Sequence, residues 1–133
     1  VFLNLQLRKN SLIVQRIVPI AIGKSFLPPS FFVNKYRGYM PFVYIIKSMK
    51  TESFYIGKTY ELEQRLLYHN TAELNKGASK QGIPWQYYFT LEVPTYALAG
   101  KLEMHIKRMK SREYCMNLVK YPEISQKLIE KYS

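Results

Sequence analysis

The chain has 133 residues and a formal net charge of +11, from twenty lysines and arginines set against nine acidic residues, all of them glutamate. That length holds one domain and excludes two of ordinary size; the charge favours a phosphate-bearing partner, although nucleic acid, anionic membrane and acidic protein would all be attracted by the same field. Cys115 is the single cysteine, which excludes an intramolecular disulfide, and with only His69 and His105 beside it a structural zinc site is implausible. A reducing cytoplasm fits this usage.

The first 39 residues hold Arg8, Lys9, Arg16, Lys24, Lys35 and Arg37 and no acid, so more than half of the net charge lies there. The apolar stretch 12–27 is interrupted by Arg16 and Lys24 and falls short of the roughly 20 residues that span a membrane, so no transmembrane helix is expected. Arg8 and Lys9 before apolar residues, with Ala21 and Gly23 after them, have the layout of a secretion leader, which Arg16 inside the apolar core argues against. Two other readings are a loosely attached arm hinged at Pro28-Pro29 and a segment foreign to the native protein, with translation starting at Met40. The expected division is a basic, apolar extension over 1–39 and one domain over 40–133.

Within that domain the run FVYIIKS, Phe42–Ser48, is β-branched and aromatic and reads as a buried strand. Residues 49–53 form a turn, and Phe54-Tyr55-Ile56 completes an antiparallel hairpin that Gly57 ends. Thr59 is the expected N-cap of a helix over 60–71 with Leu62, Leu66 and Leu67 on its apolar face. A polar, glycine-containing loop covers 75–84, and a third strand runs over 85–93 to Pro94. The recurrence of Ala99, Leu102, Ile106 and Met109 predicts a helix over 95–109. Two short helices follow over 111–121 and 123–132, separated by Pro122. The many tyrosines and phenylalanines are read as core and strand residues ahead of stacking platforms for bases.

Several groups on these elements have chemical use. Arg65 and His69 are four apart, so on a helix they project from one face and could grip one phosphate; a solvated polar face is the alternative. Tyr44 and Tyr55, taken singly, are packing residues of strands. Glu103 lies on a helix that buries Leu102 and Ile106. It either pairs with Lys107 at i, i+4 or offers one carboxylate to Mg²⁺, with water and phosphate oxygens completing the octahedron. Lys58 and the run Lys107, Arg108, Lys110 and Arg112 read either as solvated cations or as contacts to a nucleic-acid backbone. An aromatic hydroxyl, a fixed cation and a lone acid able to hold a metal are suitable parts for cutting a phosphodiester.

The order of these residues resembles the GIY-YIG nucleases. Phe42-Val43-Tyr44 stands where GIY stands, keeping the tyrosine and replacing the glycine and isoleucine, and Tyr55-Ile56-Gly57 is an intact second motif. From Tyr55, YIGKTYELEQRLLYHN presents glycine, threonine, leucine, arginine, histidine and asparagine as small stand-alone bacterial members do on opening their first helix. LEMHIK and KRMKSR are similar to the later part of those proteins. The similarity runs from Phe42 to Arg112 and implies an α/β fold, a small three-stranded, mainly antiparallel sheet flanked by helices, as in the UvrC N-terminal nuclease domain. It implies a metal-dependent endonuclease acting on DNA, in repair or recombination. Glu103 would be the ligand of Mg²⁺ or Mn²⁺, Arg65 the transition-state cation, Tyr44 the base for the attacking water, and Tyr55 and His69 would orient that water or relay its proton. Lys58, Lys107, Arg108, Lys110 and Arg112 would contact DNA. Two other classes stay open: a non-catalytic nucleic-acid-binding or adaptor domain on the same fold, and a peripheral membrane protein using the basic arm.

Overall fold

A computed structural model describes residues 35–133; the 12–27 stretch and the Pro28-Pro29 hinge lie outside them. Strand β1 (Phe42–Ser48) is the centre of a three-stranded sheet of order β2-β1-β3, with β2 (Phe54–Thr59) and β3 (Trp85–Glu92) both antiparallel to it. Val43, Tyr44, Ile45 and Ile46 have no solvent exposure, which a central strand achieves only when both faces of the sheet are covered. Alternation along β1 then divides the core in two. Val43 and Ile45 join Leu98, Ala99, Leu102, Ile106, Cys115, Leu118 and Leu128 on one side, whereas Phe42, Tyr44 and Ile46 join Leu62 and Trp85 on the other.

The first side is covered by α2 (Tyr96–Met109), α3 (Arg112–Lys120) and α4 (Pro122–Tyr132), and the second by α1 (Leu62–Asn70). Local chemistry marks these starts. The Thr95 side chain accepts the Leu98 N–H at 3.1 Å, the Ser111 side chain accepts the Tyr114 N–H at 3.0 Å, and Pro122 opens α4 where a helix has no use for its missing donor. In β3 the register shifts opposite Ile45 and Ile46, whose partners are Phe89 and Tyr87, so Tyr88 is the extra residue of a bulge.

The structure departs from the sequence expectations in several places. Gly57 does not end β2, which runs on to Thr59 because its ladder with Tyr44, Val43 and Phe42 continues. Helix α1 accordingly starts later: Thr59 is a strand residue whose hydroxyl accepts the Glu61 N–H at 3.0 Å, and Glu61 is the N-cap. Leu67 is 55 % exposed, because the covered stripe of α1 passes through Leu62, Leu66 and His69. Histidine takes the core-facing place expected of a leucine. The loop before β3 also contains a short 3₁₀ turn, Ala78–Gly82. Met109, at the end of α2, is exposed rather than buried.

Residues just before Met40 pack onto the domain. Tyr36 stacks on Tyr60 with ring centroids 4.4 Å apart, and Tyr60 stacks in turn on Tyr96 at 5.0 Å. A chain of residues 40–133 is expected to unfold in one cooperative transition and to be less stable than a chain of 35–133 by about 0.5–1.5 kcal/mol, the worth of one aromatic pair. Thermal unfolding of the two chains measures the difference; absence of a transition in the shorter one would make the preceding segment part of the core.

Candidate active site

Two consecutive residues of the edge strand β2, Gly57 and Lys58, face opposite sides of the sheet, and the site is assembled around them. Tyr44 is the register partner of Gly57, and a Cβ at Gly57 would overlap the Tyr44 phenol. Glycine therefore lets the ring extend over the edge strand. Helix α1 meets the hydroxyl there: Arg65 Nε donates to it at 3.0 Å and His69 Nε2 lies 2.9 Å from it. The i, i+4 spacing brings both side chains to one oxygen. Tyr87 stands edge-on to Tyr44 at 5.6 Å, and the Tyr55 ring lies 4.9 Å from the His69 imidazole.

Burial pushes the Tyr44 pKa up to about 12, although the charge and hydrogen bond of Arg65 act the other way; Tyr55 and the charge of Glu103 add to the rise. The phenol is neutral at rest. His69 is pushed down to about 4 by burial and by the positive charge of Arg65, so the imidazole is also neutral. Its Nδ1 lies 2.8 Å from Ser79 Oγ, and both ring nitrogens are thus engaged inside the fold. The expectation that Arg65 and His69 share a phosphate does not fit this geometry, because His69 is buried with both ring nitrogens engaged by Tyr44 and Ser79. The Arg65 guanidinium lies 4.8 Å over the Tyr68 ring, and among the described residues its terminal nitrogens make no hydrogen bond to protein.

On the other face Lys58 reaches α2. Its Nζ is 3.3 Å from Glu103 Oε2, while Lys107 Nζ is 2.6 Å from Oε1, and the Glu103 side chain is only 14 % exposed. The i, i+4 pair with Lys107 thus exists, and a second ammonium joins it. Gly100 makes room, since a Cβ there would come within 3.3 Å of Lys58 Nζ, and the Tyr96 ring lies 5.1 Å from the same nitrogen. Among the described residues no three His, Cys, Asp or Glu side chains cluster around a common point. Both Glu103 oxygens are engaged by an ammonium, so a hard divalent cation held by this carboxylate would have to displace at least one of the two lysines and take its remaining ligands from water and phosphate.

The basic run does not form one face. Lys107 turns to Glu103; Arg112 donates from Nη1 to the Glu52 carbonyl at 2.5 Å and lies 4.6 Å over the Phe54 ring; Arg108 and Lys110 are exposed. The division follows from Lys110, whose left-handed conformation (φ 47°) ends α2 and turns the chain before Arg112. Sequence reasoning also missed supporting residues. The Asn70 amide accepts the Trp85 N–H at 2.6 Å and donates to the Trp85 carbonyl at 2.9 Å, tying the end of α1 to the start of β3. Ser79 and Asn75, in the polar loop, are buried beneath His69.

A stability consequence follows for His69. Its unfolded pKa is near 6.5 and its folded value about 4, so between these the unfolded chain binds a proton that the folded chain does not. Stability from this group is present above the unfolded pKa and is lost as pH falls toward the folded one, by at most about 3 kcal/mol. Urea unfolding at about pH 7 and about pH 4.5, for the wild type and for His69→Gln, checks this. The wild type should lose more on acidification, and equal losses would contradict it.

The sequence profile of the GIY-YIG catalytic domain matches residues 40–117. A search of curated proteins and a search of solved structures returned no match. The matched span is more than half of the chain and contains Tyr44, Gly57, Lys58, Arg65, His69 and Glu103. The chain belongs to the GIY-YIG nuclease superfamily, and its α/β domain is the catalytic domain of that family.

Proposed function

We propose that the chain is a metal-dependent endonuclease that hydrolyses DNA phosphodiester bonds, serving DNA repair or recombination in the cytoplasm. The observation that carries this reading is the Tyr44 hydroxyl, buried and bound to Arg65 and His69, with Glu103 placed across the adjacent residues Gly57 and Lys58. Arg65 keeps Nε on Tyr44 and presents its terminal nitrogens to the scissile phosphate, where its charge counters the charge that develops in the transition state. Tyr44, as phenolate, takes the proton of the attacking water, which approaches from the side that Arg65 covers; the two nitrogens at its oxygen favour that anion. Tyr55 packs on His69 and holds the imidazole against Tyr44. Glu103 is the residue that would hold Mg²⁺ or Mn²⁺, which would supply Lewis-acid stabilisation of charge on the phosphate. Lys58 and Lys107 hold the carboxylate in place, and Arg108 and Lys110 offer exposed charge to the DNA backbone; Arg112, committed to the turn before β2, adds to the field.

Incubation of the full chain with plasmid, branched DNA and RNA, with and without Mg²⁺, tests this reading. Metal-supported cuts in DNA are expected. Binding of DNA without cleavage of any substrate would instead favour a non-catalytic nucleic-acid-binding or adaptor role on the same fold.

A further inference from the structure

Helix α2 carries Tyr96, Gly100, Glu103 and Lys107 at i, i+4, i+7 and i+11, which is one face of a helix. Lys58 meets that face from the edge strand, with Nζ 5.1 Å from the centre of the Tyr96 ring and 3.3 Å from Glu103 Oε2. A Cβ at position 100 would come within 3.3 Å of the same nitrogen. Glycine inside a helix weakens it relative to alanine, and here the missing side chain leaves the space that the ammonium fills. The contact between Lys58 and Glu103 is thus built into both elements.

The two lysines on Glu103 are not equivalent. Lys107 is the more exposed and sits on the same helix, so it can turn to water at little cost and open Oε1. Lys58 is less exposed and is held by the Tyr96 ring and the gap at Gly100. A divalent cation on Oε1 would then share one shielded carboxylate with the Lys58 ammonium, and like charges that close repel. A DNA phosphate changes the balance, because it offers Lys58 another acceptor and gives the cation a second anionic ligand.

We propose that Lys58 is a built-in counter-ion that keeps the Glu103 metal site closed in the free protein, and that DNA opens the site when a backbone phosphate draws Lys58 off the carboxylate. Metal and DNA then bind cooperatively, each tightening the other by the same factor. The sign is unusual, since divalent salt ordinarily weakens the hold of a basic protein on DNA. The proposal rests on the reading of Glu103 as the metal ligand; it does not rest on cleavage.

The first measurement is a titration of the full chain with Mn²⁺ in the absence of DNA, reading the unbound ion by electron paramagnetic resonance. Lys58→Met, which keeps the stem over Tyr96, should bind Mn²⁺ about tenfold or more tighter than the wild type. Lys107→Met removes the same charge from the looser position and should gain only about two- to threefold. Lys58→Met combined with Glu103→Gln should lose the site. Equal affinity in the wild type and Lys58→Met would overturn the proposal, and so would a gain in Lys107→Met as large as that in Lys58→Met. The second measurement is binding of a labelled DNA duplex at constant ionic strength, in a Tyr44→Phe background that keeps the duplex whole. Mn²⁺ should tighten binding about five- to tenfold where Glu103 is present and loosen it in Glu103→Gln, whereas loosening in both would overturn the proposal. Tight Mn²⁺ binding by Lys58→Met beside a wild type that cuts no DNA would support the counter-ion role and count against the nuclease reading alone.

Discussion

Glu103→Gln is expected to abolish most metal-supported DNA cleavage, by about 10³-fold or more, while DNA binding stays level or tightens at low salt. The two halves have separate causes. Glutamine keeps the volume on α2 but removes the charge that a hard cation needs, and the chain contains no aspartate that could take its place. Binding does not suffer, because Lys58 and Lys107 lose the carboxylate that now neutralises them and both become available to phosphate. The Lys58 and Lys107 side chains are 30 % and 49 % exposed and can turn to water, which limits the stability lost with a carboxylate that is itself only 14 % exposed. Cleavage across a Mg²⁺ titration and binding across a salt titration measure the two halves. Equal cleavage by wild type and variant would remove Glu103 from the chemistry, and a loss of binding equal to the loss of cleavage would make its role structural.

Much of the fold was legible because it depends on local pattern. FVYIIKS reads as buried on both faces and is the central strand, and the 3.6-residue recurrence of Ala99, Leu102 and Ile106 places α2 within one residue of its observed start. The misreadings share one physical source, which is contact between segments distant in sequence. Gly57 has the appearance of a strand end, yet its missing side chain is what accommodates Tyr44 from the next strand. His69 reads as a surface residue beside Leu66 and Leu67, but the Tyr44 hydroxyl and Ser79 satisfy both its nitrogens and make its burial cheap. Arg65, Glu103 and the two tyrosines are singled out as candidates through motif order. Ser79 and Asn75 were not, because a serine and an asparagine in a polar loop give no periodic sign that they are buried, and only the hydrogen bonds to His69 distinguish them from ordinary turn residues.

Tyr44→Phe should retain the fold and lose about 10²- to 10⁴-fold in cleavage, the usual worth of a positioned proton acceptor. The ring stays, so the packing with Tyr87 survives; what disappears is the oxygen to which Arg65 Nε and His69 Nε2 are bound. Leaving those two nitrogens without their partner costs about 1–3 kcal/mol, visible as a lower melting temperature but insufficient to unfold a domain of typical stability. The pH dependence separates loss of a base from simple loosening. Burial holds the phenol neutral with a pKa of about 12, so at lower pH the reactive phenolate is a minor species that grows with pH. The logarithm of the wild-type rate should therefore climb by about one per pH unit through the neutral range. His69, with its pKa near 4, stays neutral over that range and adds no limb of its own. Residual cleavage by Tyr44→Phe should be nearly flat with pH, whereas Arg65→Ala, which removes the phosphate cation and keeps the phenol, should be slow but still rise. A Phe variant that cuts DNA with the wild-type slope would show that another group takes the proton.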